Sequence, residues 1–389
     1  MTIITQNNVE SNIVPPVVGL TFFAVASGFL MSLIPLSVTY FDIDLSLIPW
    51  LASVFYFGLL VGATCIQRVI KRLGHRRSFI SFLTLVALTV VVMILVPHQV
   101  TWLVARFVAG MAVAGVFVVV ESWLLMANCP KQRAKRLGLY MAALYGGSAV
   151  GQLAISVFGT DGIQPYLCVL LLLFMATLAP ILMRSGQPHS HDQQSISRNE
   201  IRHINRPAII GCMVSGLLLG PIYGLMPSYL THTSAFSDHT GLLMASIIMG
   251  GMLVQPIASA MSTRMSKSLL MAIFCMLGCL AVMGVLESST LAMMGFSLLL
   301  LGASSFALYP IAITLACDHL PVEKMVSATE MMLLCYSVGS VLGPLLATTF
   351  TETGNGLIIY LGVCLITTSI YMLMKSAETI SSGQKPIAG

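Results

Sequence analysis

Polar residues in this chain are gathered into short segments that separate long apolar runs. Runs of about 20 residues recur from end to end, which is the length a helix needs to cross the hydrocarbon core of a bilayer. None shows the sustained alternation of a membrane-barrel strand, so each run predicts a helix. We predict twelve spans, with approximate limits 15 to 41, 46 to 67, 77 to 97, 101 to 127, 137 to 158, 164 to 184, 207 to 232, 238 to 262, 267 to 286, 290 to 317, 326 to 350 and 356 to 375. The predicted fold class is an all-α integral membrane protein.

Composition supports a membrane protein. The chain is 57% hydrophobic and only 8% charged, and its mean hydropathy of +0.92 lies outside the range of soluble globular domains. Its nine cysteines lie in or at the ends of the apolar runs without a CxxC pair, so we interpret them as packing residues and predict no metal or cofactor. No basic residue precedes the first span, which argues against a removed signal peptide.

The charges are distributed as a membrane topology requires. Every lysine and arginine except Arg106 falls between spans 2 and 3, 4 and 5, 6 and 7, 8 and 9 or 10 and 11, or beside the last span. The loops on the opposite side contain no lysine or arginine, and their charged residues are the acids Asp42, Asp44, Asp161, Asp238, Glu287 and Glu352. The positive-inside rule then predicts that both termini are cytoplasmic. Because the basic residues follow the membrane, no nucleic-acid partner is predicted.

An internal repeat with an offset of 192 residues divides the chain. Gly58 matches Gly250, Gly110 matches Gly302, Gly147 matches Gly339, Gly151 matches Gly343 and Pro35 matches Pro227, with no gap. Matching glycines and prolines fix where helices approach closely or bend, so the halves are expected to fold alike. We predict two pseudo-symmetric six-helix bundles, 1–184 and 207–389, joined by a polar linker, 185–206. Two histidines of that linker, His189 and His191, are interpreted as solvated rather than metal-binding.

The fourth span carries the candidate chemistry. In RFVAGMAVAGVFVVVESW, residues Arg106, Gly110, Phe117 and Glu121 share one helical face. Arg106 and Glu121 are separated by roughly 22 Å along the helix, so they cannot neutralise one another directly. An ionisable side chain inside a membrane span is costly and therefore marks a functional site by default.

Two six-helix halves joined by a polar linker are typical of carriers that bind substrate between repeats. The chain resembles the major facilitator superfamily over all twelve spans, and its runs ESWLL and YMAALYGGSAVGQL resemble the YcaD-like branch of that family. The resemblance implies a monomeric secondary transporter of a small molecule in the cytoplasmic (inner) membrane. P-loop, HExxH, GxSxG and TVGYG signatures are absent from the sequence, so neither an enzyme nor a channel is predicted.

The loop after span 2 resembles the superfamily signature that latches the two halves on the cytoplasmic side. Gln67 and Lys71 stand in the places of its first glycine and its aspartate, and Thr263 stands in the aspartate place of the second-half copy. Asp318 is expected to pair with Arg264. The predicted cytoplasmic gate comprises Arg72, Gly74, Arg76, Arg77, Arg264 and Asp318. The alternative is that these basic residues only set the topology.

Arg106 with the small residues after it fits the family's span 4 motif. A guanidinium cannot lose its proton, so Arg106 can hold an anionic group or bias a carboxylate but cannot carry protons. The alternative is a structural arginine bonded to backbone carbonyls. Glu121 is the better candidate for proton coupling, because a carboxyl group can take up and release a proton. Its alternative is an ion pair with Arg72 or Arg76.

Other candidate substrate-binding residues follow from the resemblance. Family cavities are lined mainly by spans 1, 4, 7 and 10, so Phe117, Tyr223 and Tyr309 are expected at the pathway, with ordinary helix packing as the alternative. Gln152 is a further candidate. It replaces the proline of a span 5 signature typical of antiporters, whereas the second-half copy keeps Pro344.

These observations predict an exporter driven by protons through Glu121, with Arg106 orienting the substrate. Few charges and 25 methionines favour an amphipathic or weakly anionic organic substrate over a sugar. Two alternatives are retained. One is a proton-coupled uptake symporter, and the other is a membrane receptor that keeps the fold without transporting.

Overall fold

The computed structural model describes residues 14–125, 136, 138–182, 205–232, 235–318, 322–350 and 354–381. Twelve helices within these ranges are long and apolar enough to cross a membrane. We number them α1 (Val14–Ser37), α2 (Ile48–Leu73), α3 (His75–Leu95), α4 (Gln99–Leu125), α5 (Gly138–Phe158), α6 (Gln164–Leu182), α7 (Arg206–Gly224), α8 (Thr240–Ser262), α9 (Lys267–Leu286), α10 (Leu291–Cys317), α11 (Val322–Ala347) and α12 (Gly356–Ser381).

All twelve predicted spans are confirmed as helices, with three differences. Helices α2 and α12 continue beyond the predicted limits, to Leu73 and Ser381. The predicted span 7 is interrupted, because α7 ends at Gly224 and a short helix, Met226–His232, follows. Pro227 causes this interruption, since it has no N–H to donate to the carbonyl one turn before it and its ring crowds that carbonyl.

Helix α5 contains a local irregularity that was not predicted from its sequence. A π-helical turn, Ala142–Gly146, precedes the regular helix Gly147–Phe158. A π turn adds a residue to the helical repeat and rotates the side chains on one side of it relative to the other, and such turns are frequent at functional sites. Tyr145 lies within this turn.

The two halves pack in the same way. In the first half α1 packs against α5 and α6, α2 against α4, and α3 against α4 and α6. The equivalent pairs meet in the second half, where α7 packs against α11, α8 against α10, and α9 against α10 and α12. Each half buries its own hydrophobic cluster. The twelve helices therefore form two pseudo-symmetric bundles, as the repeat predicts.

Glycines at equivalent positions set the helix spacing in both halves. A Cβ atom on Gly110 would overlap the carbonyl oxygen of Phe55, so α4 and α2 approach closely at this point. Gly302 makes the equivalent contact with the carbonyl oxygen of Ile247, which lies 192 residues after Phe55. Only a residue without a side chain allows backbones to come this close.

The halves meet along a seam whose ends differ in charge. We call the end that carries Asp42, Asp44, Asp161, Asp238 and Glu287 the acidic end, and the end that carries Arg72, Arg76, Arg77, Arg264 and Lys267 the basic end. Two close contacts between the halves lie near the acidic end, where Gly224 abuts Ala52 and Gly241 abuts the carbonyl of Gln152. The limits given above for the two bundles stay a prediction, and linker residues 185–204, including His189 and His191, lie outside the described residues.

Candidate functional site

A cavity lies around Arg106, towards the acidic end of the first half. Helices α1, α2 and α4 form most of its wall, and Tyr223 and Gly224 of α7 close it from the second half. It encloses about 710 Å³ of space outside protein atoms, including the part open to solvent. Its wall is mostly apolar, and the polar side chains in it are Ser27, Tyr56, Arg106 and Tyr223. A mostly apolar wall with a few polar groups is the composition of small-molecule sites.

Arg106 makes few contacts with protein groups. Its guanidinium carbon lies 4.1 Å from the centre of the Phe55 ring, which places the cation over an aromatic face. Its Nε donates to the carbonyl oxygen of Leu51 over 3.4 Å, a long hydrogen bond. Among the residues that the structure describes, no other hydrogen bond and no ion pair is made by this side chain. Bonding to backbone carbonyls, the alternative role considered for Arg106, thus accounts for only one of its five N–H groups.

Tyrosines from both halves gather where the seam crosses the middle of the bundle. Tyr145 of α5 contacts Phe306 of α10 edge-on, with ring centres 5.6 Å apart, and Tyr223 of α7 contacts the same ring at 5.8 Å. Tyr309 and Tyr336 lie 5.0 Å apart, also centre to centre. We call Tyr56, Tyr145, Tyr223, Tyr309 and Tyr336 the tyrosine cluster, because each lies within electrostatic range of at least one other member. All except Tyr56 are only half-buried, so they border open space between the halves.

The tyrosine cluster connects the two ionisable residues of α4. Tyr56 lies within electrostatic range of Arg106, and Tyr309 lies within electrostatic range of Glu121. Tyr140 of α5 is also within range of Glu121. Phenol groups therefore link the part of the bundle that holds the cation to the part that holds the acid.

Glu121 is exposed, although it lies within α4. Its electrostatic neighbours are Tyr140 in its own half and Tyr309 in the other, which indicates that it faces the seam. In the described part of the chain, no basic side chain lies within ion-pair distance of it. Arg76, one of the two partners considered for it, donates instead to the carbonyl oxygens of Pro180 and Ile181.

Three predicted substrate-binding residues are not among those that line the Arg106 cavity, namely Phe117, Tyr309 and Gln152. Phe117 packs edge-on against Phe23 of α1, with ring centres 6.0 Å apart. Among the described residues it makes no ring contact with Tyr309, so the structure records no pairing of these two side chains across the pathway.

Gln152 is fully buried and ties α5 to α1 rather than lining the cavity. Its Nε2 donates to the carbonyl oxygen of Gly28 over 2.8 Å, and its Oε1 accepts from Ser32 Oγ over 2.6 Å. Each end of the amide makes one hydrogen bond to α1, and Gln152 is not among the residues that line the cavity. The glutamine thus replaces the proline of the span 5 signature with two hydrogen bonds to the neighbouring helix.

The predicted gate residues make their recorded bonds within their own halves. Gly74, with φ 76°, joins α2 to α3 in a conformation that favours glycine. Arg76 satisfies two carbonyls at the end of α6, where a helix terminus favours a cation. Arg72, Arg77 and Arg264 are exposed.

Asp318 pairs with Lys267, not with Arg264 as predicted, and both carboxylate oxygens accept from Nζ. Lys267 is the first residue of α9, directly beside the end of α10, so it reaches Asp318 more easily than Arg264 does. This ion pair lies wholly within the second half. The predicted gate residues therefore form two separate sets of contacts in this structure, one within each half.

Sequence reasoning did not find Phe55, Tyr56, Tyr145 and Tyr336. The signal available was a tyrosine in the middle of an apolar span, where its hydroxyl needs a polar neighbour or water. The repeat gave no help, because Ile248 and Ser337 stand at the positions equivalent to Tyr56 and Tyr145. Tyr145 lies within the π turn and contacts Phe306 of the other half.

The sequence was compared with protein families and curated proteins. The Major Facilitator Superfamily model matches residues 17–344. An uncharacterized MFS-type transporter of Enterobacter sp. (strain 638) is 30% identical over 365 residues, which cover 92% of this chain and 93% of that protein. The uncharacterized MFS-type transporter YcaD of Shigella flexneri serotype 5b is 29% identical over 358 residues, with the same coverage of each chain.

Solved structures with the same fold are more distant in sequence. A variant of the nucleoside transporter NupG aligns with a TM-score of 0.78 at 14% identity, covering 93% of this chain and 99% of that one. A variant of the E. coli fucose:proton symporter FucP aligns with a TM-score of 0.62 at 14% identity, covering 94% and 98%. At these identities the likeness concerns the fold alone.

The family match spans most of the chain, and the twelve helices form the paired bundles of that fold. Together with the curated relatives, this places the chain in a membrane as a multi-pass protein of the inner-membrane type. The chain therefore belongs to the Major Facilitator Superfamily, whose members are secondary transporters of small molecules.

Proposed function

We propose that this protein exports a small organic molecule across the cytoplasmic membrane in exchange for protons, with Glu121 as the proton-coupling residue and Arg106 as the residue that orients the substrate. The protein would work as a monomer, and the asymmetry of its basic residues supports a cytoplasmic location for both termini. The basic end is then the cytoplasmic end.

The environment of Glu121 is the observation that carries the proposal. A carboxyl group that is exposed to the seam can exchange protons with water, and within the described residues no basic side chain lies within ion-pair distance of Glu121 to hold it ionised. Tyr309 belongs to the second half, so movement of one half against the other changes the surroundings of Glu121. A proton site whose environment depends on the arrangement of the halves is what coupling requires.

The distribution of contacts along the seam supports alternating access. Gly224 against Ala52 and Gly241 against Gln152 hold the halves together near the acidic end. The recorded bonds of the predicted gate residues remain within each half. Such an arrangement fits a carrier that is closed at the acidic end, and the reverse state would bring the gate residues together. FucP, a fucose:proton symporter with this fold, supports the idea that the fold can couple transport to protons.

Proteoliposomes that contain a pH-sensitive dye provide the test. A thermal-shift screen of a metabolite library first identifies compounds that bind, and each is then added to liposomes that carry the purified protein. We expect proton movement with wild-type protein and none with Glu121→Gln, while the thermal shift by the same compound persists in that variant. Glu287→Gln is the matched control, because it removes an exposed acid outside the spans and should behave as wild type. Proton movement that survives in Glu121→Gln would remove Glu121 from the mechanism.

Direction is decided by vesicle orientation. Everted membrane vesicles with an acidic interior should accumulate the identified compound if the protein is an exporter that exchanges it for protons. Accumulation only by right-side-out vesicles with an inward proton gradient would show uptake instead.

A further inference from the structure

We infer that the cavity around Arg106 binds a monovalent organic anion, with a carboxylate or sulfonate group on Arg106 and an apolar body against the surrounding wall. This inference rests on the proposed function, because it names the class of molecule that the same site would take. It begins from the charge of the cavity.

Among the described residues that line the cavity, Arg106 supplies the only positive charge and none supplies a negative charge. None of the side chains that line it is an aspartate or a glutamate. The electrostatic neighbours of Arg106 are the tyrosines Tyr56 and Tyr166, which are neutral. Glu121 is separated from it by roughly 22 Å along α4. A guanidinium placed in an apolar cavity without a counter-ion is unfavourable, so the site is incomplete until an anion enters.

The contacts of Arg106 leave its outer edge available. Phe55 covers one face of the guanidinium, and the carbonyl of Leu51 takes the Nε proton. The two Nη atoms carry four further N–H donors. Within the described residues no acceptor contacts them, and the side chain is only half-buried. Two parallel N–H groups at that edge match the two oxygens of a carboxylate.

The remaining polar groups fit the same ligand. The hydroxyls of Ser27, Tyr56 and Tyr223 line the cavity and can donate hydrogen bonds to an anionic oxygen. The rest of the wall includes Leu30, Leu51 and Val113, which suit hydrocarbon. One cation favours one anionic charge, so a monoanion should bind better than a dianion, and a cation should not bind.

The experiment measures binding to purified protein in nanodiscs by calorimetry, with no proton gradient present. The probes are straight-chain and phenyl-substituted monocarboxylates of four to ten carbons, with the amide, amine and sulfonate of each and the dicarboxylates of equal length. We expect carboxylates and sulfonates to bind about 10-fold to 100-fold more tightly than the matching amides, as charge-assisted hydrogen bonds allow. Amines should show no binding.

Substitutions then assign the preference to its residue. Arg106→Gln should abolish the difference between acid and amide, Arg106→Lys should keep part of it, and Phe55→Leu should reduce it because the guanidinium loses its aromatic support. Arg68→Gln removes an exposed arginine of α2 and is the matched control, with the preference unchanged.

Three results would overturn the inference: no member of the acid series binds, amides bind as well as acids, or Arg106→Gln keeps the discrimination. Glu121→Gln should keep the preference for acids while it loses proton movement. Loss of proton coupling and loss of anion preference are therefore separate outcomes, and either proposal can fail without the other.

Discussion

Arg106 lies over the ring of Phe55, with its guanidinium carbon 4.1 Å from the ring centre, at the wall of a cavity that holds no acid. The two residues come from neighbouring helices that approach closely because Gly110, one turn after Arg106, abuts the backbone of Phe55. The small residue thus positions the aromatic support of the cation. A glycine, an aromatic ring and a half-buried charge act together here.

The unpaired charge of Arg106 should lower the stability of the empty protein. Replacing it with methionine removes an uncompensated cation and keeps most of the apolar volume, so the midpoint of thermal unfolding should rise by several degrees without ligand. Differential scanning fluorimetry in detergent measures this. Arg68→Met, at an exposed position, should change the unfolding free energy by no more than about 0.5 kcal/mol. A lower midpoint for Arg106→Met would indicate that Arg106 is held by structural contacts.

The contacts of Gly110 and Gly302 predict that substitution by alanine lowers protein stability to the same extent at these two equivalent positions. Alanine at either site must push two helices apart, which should cost about 1–3 kcal/mol of stability. Gly138→Ala is the control, since a Cβ there meets no atom within 4 Å. Thermal unfolding of the three variants makes the comparison. If Gly110→Ala is as stable as Gly138→Ala, the close approach of α2 and α4 is not required.

Gln152 is expected to contribute to stability rather than to substrate recognition. Gln152→Leu loses the hydrogen bonds to Gly28 and Ser32 and should cost about 1–3 kcal/mol, because the hydroxyl of Ser32 is left buried. Substrate affinity should stay unchanged. A double-mutant cycle with Ser32→Ala measures the pair directly, and we expect the two substitutions to be non-additive by about 1 kcal/mol. Additive effects would show that the bond between them contributes nothing.

The ion pair of Lys267 and Asp318 gives a prediction about the basic end. Lys267→Gln and Asp318→Asn should have the same effect on transport rate, and the double variant should be no worse than either one. The change in stability should be within about 1 kcal/mol, because both side chains are partly exposed. Arg264→Gln should not reproduce the defect of Asp318→Asn, because Asp318 pairs with Lys267. A defect in Arg264→Gln that equals that of Asp318→Asn would favour the pairing with Arg264 in another conformation.

The sequence alone determined the twelve helices, their approximate limits and the equivalence of the two halves. Apolar length, the placement of lysine and arginine and the repeat of glycines are local properties, and the bilayer imposes strong rules on them. It also identified Arg106 and Glu121, because an ionisable residue inside an apolar run is visible without knowledge of its neighbours.

Tertiary structure decided which side chains meet. Gln152 belongs to the packing between α1 and α5, Asp318 pairs with Lys267, and Tyr145, within a π turn, contacts Phe306 of the second half. It also decided that Arg106 has an aromatic ring beside it and no acid, since that depends on which faces of α1, α2, α4 and α7 surround it. Contacts between helices distant in the chain depend on how each helix is rotated about its axis and how deep it lies in the membrane. The pattern of apolar residues fixes neither property when every face of a helix is apolar.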